Sequence, residues 1–437
     1  MSNVTEILVS QYNINARVGQ KTKCPFCGHH SFSITKDDSL GKCFHPSCLK
    51  YITPYKKRHK HKAIIDILER LYLVSKTELL NQQNTQSNAY DYLVNERQLH
   101  PIVIAHSMIG IMPASYDIDV EFEPIINEIE NKAKDKDSSK KLDDIYSIRQ
   151  KLREVIYKGA EWLVFYYCDA YHNIISMKLR KPYDKKFMSF KLPDYGTGVF
   201  GQDLFSPIAI DKVKHQNEKL IVVEGEFDIL QLQSLMARKA EIEGISLENH
   251  YINGCAVGSV NSADIETISK ISKNPVICYD NDNGAGFELV KKAQQSITVS
   301  ATTTPDDFKD IDDYIKSFDD DYNGAFKAVK DLFANSQKHF KEIESVKKRV
   351  GGIRAGREDD SLRAFEKNDL IGQVIADDMS ERGKFYYDQN HIYYFDEIGK
   401  ILILIHKDSL EFKITLFEYG INASENTFSY ILEFLLV

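Results

Sequence analysis

The amino-acid sequence predicts a multidomain α/β protein with a parallel sheet at its centre, and three observations indicate this. Two apolar runs, 220–223 and 276–279, suit buried parallel strands and end abruptly in carboxylates. Four clustered cysteines near the N-terminus indicate a small ribbon, and alternating aromatic residues within 383–396 indicate a hairpin in a small C-terminal α+β unit. At 437 residues, with 43% hydrophobic and 27% charged residues, the chain is long enough for two or three globular units.

The cysteine cluster consists of two close pairs, Cys24 with Cys27 and Cys43 with Cys48. Four thiols in two pairs suit a tetrahedral structural zinc site, and a disulfide pair is the alternative. No signal peptide or long apolar segment is visible in the sequence, so we expect a reducing, cytoplasmic location and no membrane partner, which favours zinc. Because four residues separate the second pair, His45 is an alternative ligand to Cys48.

A dense basic run, 56–62, follows the last of these thiols. Such a run is either a solvated linker or, beside a ribbon, a surface that meets phosphate groups. The formal net charge of −8 does not argue against a nucleic-acid partner, because binding depends on local patches of charge.

The two central apolar runs are each followed by acids. Glu224 and Asp228 follow the first run, and Asp280 and Asp282 follow the second. In an open parallel sheet, ligands bind at the carboxyl ends of the strands, so the two strands can aim these acids at one spot. Gathered carboxylates repel one another and Mg²⁺ or Mn²⁺ relieves the repulsion, which indicates metal-dependent phosphoryl chemistry. The alternative is that an acid after a strand, such as Asp228 or Asp282, only caps the next helix.

These residues resemble the motifs of the Toprim domain. Residues 223–228 look like its glutamate motif, and Asp280 with Asp282 looks like its aspartate motif. Gly258 lies in a segment that is similar to the turn between the two motifs. The resemblance implies a Rossmann-like parallel sheet, with Gly225 and Gly258 as cofactor-binding positions.

Residues 20–320 resemble, in the right order, bacterial and phage DNA primases with an N-terminal zinc ribbon. Residues 89–101 look like the helix-turn-helix opening of the primase core, and 162–190 read as short strands. The resemblance implies that Arg180, Lys186 and, more weakly, Lys178 hold the phosphates of template and nucleotide. The alternative is a solvent-facing strand edge guarded by basic residues.

The resemblance implies an enzyme that makes short RNA primers on single-stranded DNA from nucleoside triphosphates, for a phage or another mobile element. Asp280 and Asp282 would hold Mg²⁺ on the incoming triphosphate, and Glu224 would share a second metal or help to deprotonate the 3′-hydroxyl. The expected metal shell is completed by three further aspartates: Asp228, Asp310 and Asp312. Two other classes stay open: a Toprim nuclease that cuts DNA, and a module that loads a helicase without catalysis.

The expected fold class is thus a zinc ribbon, a primase catalytic core with a Toprim domain, and a small C-terminal α+β unit. The expected domain boundaries are, in order, 1–62 (ribbon and basic linker), 63–208 (start of the core, with a charged helical insertion at about 117–153), 209–335 (Toprim), 336–361 (linker) and 362–437 (C-terminal unit). No Gly-x4-Gly-Lys-Ser/Thr run occurs in the sequence, so no P-loop motor is expected. The C-terminal unit is interpreted as a docking domain for a replicative helicase.

Overall fold

The computed structural model divides the chain into two compact units, Met1–Asp66 and Ile67–Val437. It describes residues 5, 8, 14–18, 20–24, 30, 32–34, 41–43, 51–52, 61–84, 89–132, 136–171, 173–201, 219–245, 252–282, 284–357, 361–388 and 391–436. Among these residues, no helix is long and apolar enough to cross a membrane.

The first unit contains a four-stranded antiparallel sheet in the order β1-β2-β3-β4. Its strands are β1 (Lys21–Thr22), β2 (Phe32–Ile34), β3 (Gly41–Cys43) and β4 (Tyr51–Ile52). Cys24 is buried two residues after β1, and Cys43 is the last residue of β3. Cys27, His45, Cys48 and the basic residues 56–60 lie outside the described residues, so the zinc site stays a prediction.

The second unit opens with helices and an antiparallel sheet in the order β5-β6-β7-β8. The helices are α1 (Lys62–Asn81), α2 (Ala89–Asp91), which continues as a π-helical turn (Tyr92–Glu96), and α3 (Pro101–His106). The strands are β5 (Ile109–Ile111), β6 (Leu163–Cys168), β7 (Ile174–Arg180) and β8 (Phe187–Lys191). Tyr92, Leu93 and Leu99 of the segment 89–101 are buried, as the apolar face of an amphipathic helix requires. Pro101 is the first residue of α3. Proline is tolerated there because the N–H that it lacks would not form a hydrogen bond within the helix.

A buried lysine joins α1 to the segment that leads into this sheet. The Lys76 ammonium donates to three backbone carbonyls: that of Ile104, that of Ser107 at 2.7 Å and that of Ile109 at 3.3 Å. Two of these carbonyls lie at the end of α3, where no intrahelical donor remains for them. The lysine therefore acts as a cap that satisfies them.

Replacing this cap should destabilise the second unit. We expect Lys76→Met to lower its free energy of unfolding by about 3 kcal/mol, because buried carbonyls would be left without a donor. Urea unfolding measures the change, with Lys151→Met at an exposed helical position as the matched control. Equal stability of the two variants would contradict the capping role.

The charged insertion is a pair of packed helices, α4 (Ile118–Lys132) and α5 (Lys136–Lys158). Phe122 and Leu152 are fully buried, so the pair has an apolar seam beneath its charged surface. The sequence predicts a flexible tip at 134–140, but α5 already begins at Lys136.

The sheet that follows matches the predicted parallel core. It has five strands in the order β10-β9-β11-β12-β13, of which β13 alone is antiparallel to its neighbour. The strands are β9 (Leu220–Val223), β10 (Gly254–Ala256), β11 (Pro275–Tyr279), β12 (Val299–Thr303) and β13 (Gln337–His339). The helices are α6 (Glu226–Glu243), α7 (Ile265–Ile271), α8 (Phe287–Gln294), α9 (Ile311–Lys316) and α10 (Tyr322–Ala334). Val222 and Ile277 lie in its core and are buried, as apolar runs in a doubly covered sheet require.

The C-terminal part forms a three-stranded antiparallel sheet covered by helices. Its elements are α11 (Ile343–Arg354), α12 (Ala364–Arg382), β14 (Gly383–Asp388), β15 (His391–Asp396), β16 (Ile401–Leu404), α13 (Leu410–Glu418) and α14 (Asn426–Leu436). The expected hairpin is β14 with β15, where Tyr394 is buried and Tyr387 is exposed.

The segment 336–361, expected to be a linker, instead contains β13 and α11. Val346, Val350 and Ile353 bury in the C-terminal core because their spacing places them on one face of α11. The high charge of the exposed face masks this apolar face in the sequence.

Candidate active site

Two neighbouring parallel strands bring the predicted acids to one edge of the sheet. Val223 pairs with Cys278, so β9 and β11 end almost level, and Glu224 and Asp280 leave from the same edge. Gly286 packs against the loop after β11, where a Cβ atom would lie 2.3 Å from the Asp280 carbonyl oxygen. The Gly286 N–H donates to the carboxylate of Asp282. That contact holds Asp282 on the loop before α8, and no side chain among the described residues caps the start of this helix.

Asp310, another predicted metal ligand, reaches the same edge from the loop before α9. The Lys309 carbonyl accepts from the Asn281 N–H at 2.6 Å, which joins this loop to the one after β11. The Lys309 ammonium lies 3.2 Å from Asp310 Oδ2 and 3.8 Å from Asp280 Oδ2. Asp310 also caps α9 by accepting from the Asp313 N–H at 2.9 Å. Asp280 and Asp310 are therefore gathered around one lysine.

Burial and the charge of neighbouring carboxylates raise the pKa of two acids at this edge, Asp280 and Glu224. Burial, followed by the charges of Glu224 and Asp310, raises the pKa of Asp280 to about 7. Burial, followed by the charge of Asp282, raises the pKa of Glu224. Lys309 opposes both shifts without cancelling them. The edge thus holds more negative charge than its own cations neutralise.

Two predicted metal ligands are engaged by the protein itself. Asp228 is 5% exposed and accepts from the Gly225 N–H at 2.9 Å, which completes a cap on α6. Its pKa lies well above the ordinary value because of burial and then the charge of Asp310. Asp312 is also buried, and it contacts Lys316 at 2.9 Å and Arg97 at 3.5 Å. These two carboxylates hold the fold around the site, and their metal-binding role stays a prediction.

Of the three predicted phosphate-binding residues, two lie beside the start of α6. Lys178 lies 2.7 Å from Glu226 Oε1 and donates to the Gly258 carbonyl at 3.0 Å. The Arg180 guanidinium lies 5.0 Å from the centre of the Phe227 ring. Lys186 is 69% exposed on its side chain, and its ion pair is with Asp184 at 3.6 Å.

Two residues that organise the site, Glu226 and Arg97, were not predicted from the sequence. Glu226 is buried against Lys178 and accepts from the Tyr167 hydroxyl. Arg97 stacks on Phe227 with 4.1 Å between the guanidinium carbon and the ring centre, and it contacts Asp312. Glu226 lies within the recognised 223–228 motif, but no sequence signal marked it as the partner of a lysine on another strand.

Close packing and backbone conformation require a glycine at position 258. Its φ of +79° is unfavourable for other residues, and a Cβ atom would lie 2.4 Å from the Tyr167 hydroxyl. Its N–H donates to the Glu224 carbonyl at 2.8 Å, which fixes the turn that carries Glu224. These contacts explain the glycine, and cofactor binding at Gly258 and Gly225 stays a prediction.

Removal of the buried charge on Glu226 should test this network. We expect Glu226→Gln to lower the free energy of unfolding by about 2 kcal/mol, because the Lys178 ammonium would lose its counter-charge. Lys178 is about a quarter exposed, at 24%, so solvent moderates the loss. Urea unfolding of Glu226→Gln, Lys178→Met and the double variant measures the coupling. Strictly additive losses would contradict a direct interaction.

The donors at this edge fit a hard divalent cation in their chemistry. They are carboxylate oxygens with unneutralised mutual repulsion, the ligand type that Mg²⁺ and Mn²⁺ prefer. In the part of the chain that the structure describes, no three His, Cys, Asp or Glu side chains form a ready-made metal-binding group. The carboxylates are therefore suitable metal ligands, but their oxygen atoms do not converge on one position in this structure.

Comparison with known proteins identifies the parallel-sheet segment. Residues 221–315 match the family model described as Toprim-like, so this segment is a Toprim-like domain and the resemblance found in its motifs is confirmed. No curated protein matches the chain significantly.

Several solved structures are similar to the chain. The Aquifex aeolicus primase, with its zinc-binding and RNA polymerase domains, is 20% identical, with 86% of this chain and 90% of that chain covered and a TM-score of 0.40. The Escherichia coli primase catalytic core is 16% identical, with 73% and 91% covered and a TM-score of 0.40. A DnaG primase catalytic domain bound to single-stranded DNA is 16% identical, with 74% and 94% covered and a TM-score of 0.40.

Proposed function

We propose that the protein is a DNA primase that synthesises short RNA primers on single-stranded DNA, in the cytoplasm and for a phage or another mobile element. The observation that carries this proposal is the gathering of Glu224, Asp280 and Asp310 at the carboxyl edge of a Toprim-like sheet. Unneutralised carboxylates at such an edge suit metal-dependent phosphoryl transfer. Lys178 and Arg180 stand beside them on a second sheet, where phosphate charge would need cations.

Mg²⁺ or Mn²⁺, when bound, would neutralise triphosphate charge and favour ionisation of the attacking hydroxyl. Asp280 and Asp282 would hold the ion on the triphosphate side, with Asp310 at its edge. Glu224 would share a second ion or accept the proton of the 3′-hydroxyl, a role that its raised pKa suits. In the reaction, the 3′-oxygen bonds to the α-phosphorus while the bond to the β-phosphate breaks and pyrophosphate leaves.

Features outside the acids support a primase over a Toprim nuclease. The described strands of the first unit and the cysteine spacing support a zinc ribbon that selects template, and Arg97 of the core-opening segment contacts Asp312 in the Toprim-like domain. A mixture of single-stranded DNA, four ribonucleotides and Mg²⁺ tests the choice. A primase yields short RNA, a nuclease yields shortened DNA, and a non-catalytic module yields neither.

The C-terminal unit is proposed to dock a replicative helicase. A groove of about 1050 Å³ runs between residues 338–342 and this unit, and exposed apolar side chains line it, among them Ile401, Ile414 and Phe417. An exposed apolar lining is typical of protein contacts.

Removal of this unit should spare primer synthesis. Because α11 belongs to its core, the deletion has to begin at residue 343 and not at 362. We expect the variant without 343–437 to make primers on naked DNA at nearly the normal rate and to lose stimulation by a helicase. Primer yield on naked template measures the first effect, and its loss would assign the unit to the polymerase.

A further inference from the structure

The sheet beside the acids carries polar and charged side chains on one face of its last two strands, β7 and β8. Cross-strand neighbours share a face, and the register pairs Arg180 with Phe187, Lys178 with Ser189 and Ser176 with Lys191. The alternate residues on β7 and β8, such as Leu179 and Phe190, are buried on the opposite face. On β7 and β8 this face therefore carries serines, lysines, an arginine and the ring of Phe187, whereas on β6 it continues as the buried Leu163, Phe165 and Tyr167.

Phe187 is the apolar exception among these residues of β7 and β8. It is 48% exposed, whereas Phe190 on the opposite face is 4% exposed. Its strand, β8, is the last in the order β5-β6-β7-β8, so no further described strand covers it. Core packing thus explains Phe190 and does not explain an exposed ring at position 187.

The Phe187 ring is flanked by two cations. The Lys178 ammonium lies 5.1 Å from the ring centre, and the guanidinium carbon of Arg180 lies 5.4 Å from it. The Arg180 Nε atom is buried without a hydrogen-bond partner among the described residues. An exposed ring with cations beside it offers a face for stacking and positive charge for phosphate.

This surface adjoins the acid edge. Lys178 contacts both Phe187 and Glu226, and Glu226 is two residues beyond Glu224. Lys178 also donates to the Gly258 carbonyl at 3.0 Å, and the Gly258 N–H donates to the Glu224 carbonyl at 2.8 Å. A chain held on Phe187 would therefore run beside the acids.

We propose that Phe187 stacks on an unpaired base of a single-stranded nucleic acid and holds that strand beside the acids. The inference rests on the proposed function and adds the residue that positions the strand. The charge of this surface favours a nucleic acid as the ligand. Lysine and arginine beside an aromatic ring suit a polyanion whose bases have exposed faces. A protein segment is the competing occupant, and the test below separates it.

The affinity of the whole protein for a fluorescent oligothymidylate tests the stacking. Phe187→Ala should weaken binding roughly tenfold, since one base–aromatic stack would be lost. The slope of affinity against salt should not change, because no cation is removed. On an oligonucleotide with abasic positions, wild type and Phe187→Ala should bind equally. Tyr157→Ala, which removes an 84% exposed tyrosine from α5, is the matched control and should bind normally.

A spectroscopic readout separates stacking from simple packing. Trp162 is the only tryptophan of the chain, so the W162F/F187W double variant reports from the proposed site alone. Oligothymidylate should quench its fluorescence, and an abasic oligonucleotide of equal length should not. Phe187→Leu, which keeps apolar volume without a ring, should bind as weakly as Phe187→Ala.

Three results would overturn the proposal. They are an unchanged affinity in Phe187→Ala, an equal loss on normal and abasic oligonucleotides, and a fluorescence change that a protein partner but not DNA produces. The binding assays contain no nucleotide triphosphates or divalent ions. Failure of stacking is therefore distinguishable from failure of primer synthesis.

Discussion

Asp280→Asn and Glu224→Gln should each reduce primer synthesis by roughly 1,000-fold or more, because each removes a charge required at the reacting phosphate. Each replacement keeps nearly the same volume, so the fold should persist. Denaturing gels of labelled products measure the loss. Asp313→Asn, an exposed aspartate of the same α9 motif, is the matched control and should remain active. Near-normal synthesis by either site variant would remove that residue from the proposed mechanism.

Asp280→Asn should also change the pH dependence of the free energy of unfolding when no metal is bound. Asp280 has a folded pKa of about 7, above its ordinary value of 3.8, so the native state holds more protons than the unfolded state between these values. This group therefore costs stability as pH rises from about 4 to 7. In EDTA, the stability of Asp280→Asn should decrease less than that of the wild type as pH rises from about 4 to 7, and its melting temperature near neutral pH should be higher. A lowered melting temperature would contradict the repulsion between the acids.

Cys24→Ser and Cys43→Ser should each lose bound zinc, about one ion per wild-type chain, because a tetrahedral site needs all four ligands. A ribbon of this size has too little core to fold without the metal, so the first unit should unfold while the second stays folded. Metal analysis and proteolysis measure these effects. Cys255→Ala, at a buried thiol of the second unit, should retain zinc. Full zinc retention in both ribbon variants would contradict the four-cysteine assignment.

The sequence was sufficient to predict the strand ends and the acids on them. The runs before Glu224 and Asp280 are apolar throughout, so they could only be buried, and parallel strands share one carboxyl edge. The partners of the acids were not predictable, because they come from distant segments. Lys178 reaches Glu226 and Arg97 reaches Asp312 through tertiary packing that no local pattern encodes.

Two other differences have local causes. The segment 336–361 reads as a linker because charge dominates its composition, but the three apolar residues of α11 are enough to bury one face. Lys186 was grouped with Arg180 because the resemblance to the primase core implies a phosphate-binding role for both. It precedes β8 and extends into solvent, because the strand begins one residue later at Phe187.

The most direct measurement is mass spectrometry of the products that the wild-type protein makes from single-stranded DNA, four ribonucleotides and Mg²⁺. Template-directed condensation of nucleotides predicts short RNA chains that are complementary to the template and carry a 5′-triphosphate from the first nucleotide. These chains should be absent with Asp280→Asn. Shortened DNA without new RNA, or primers of equal yield from Asp280→Asn, would contradict primer synthesis at this acid edge.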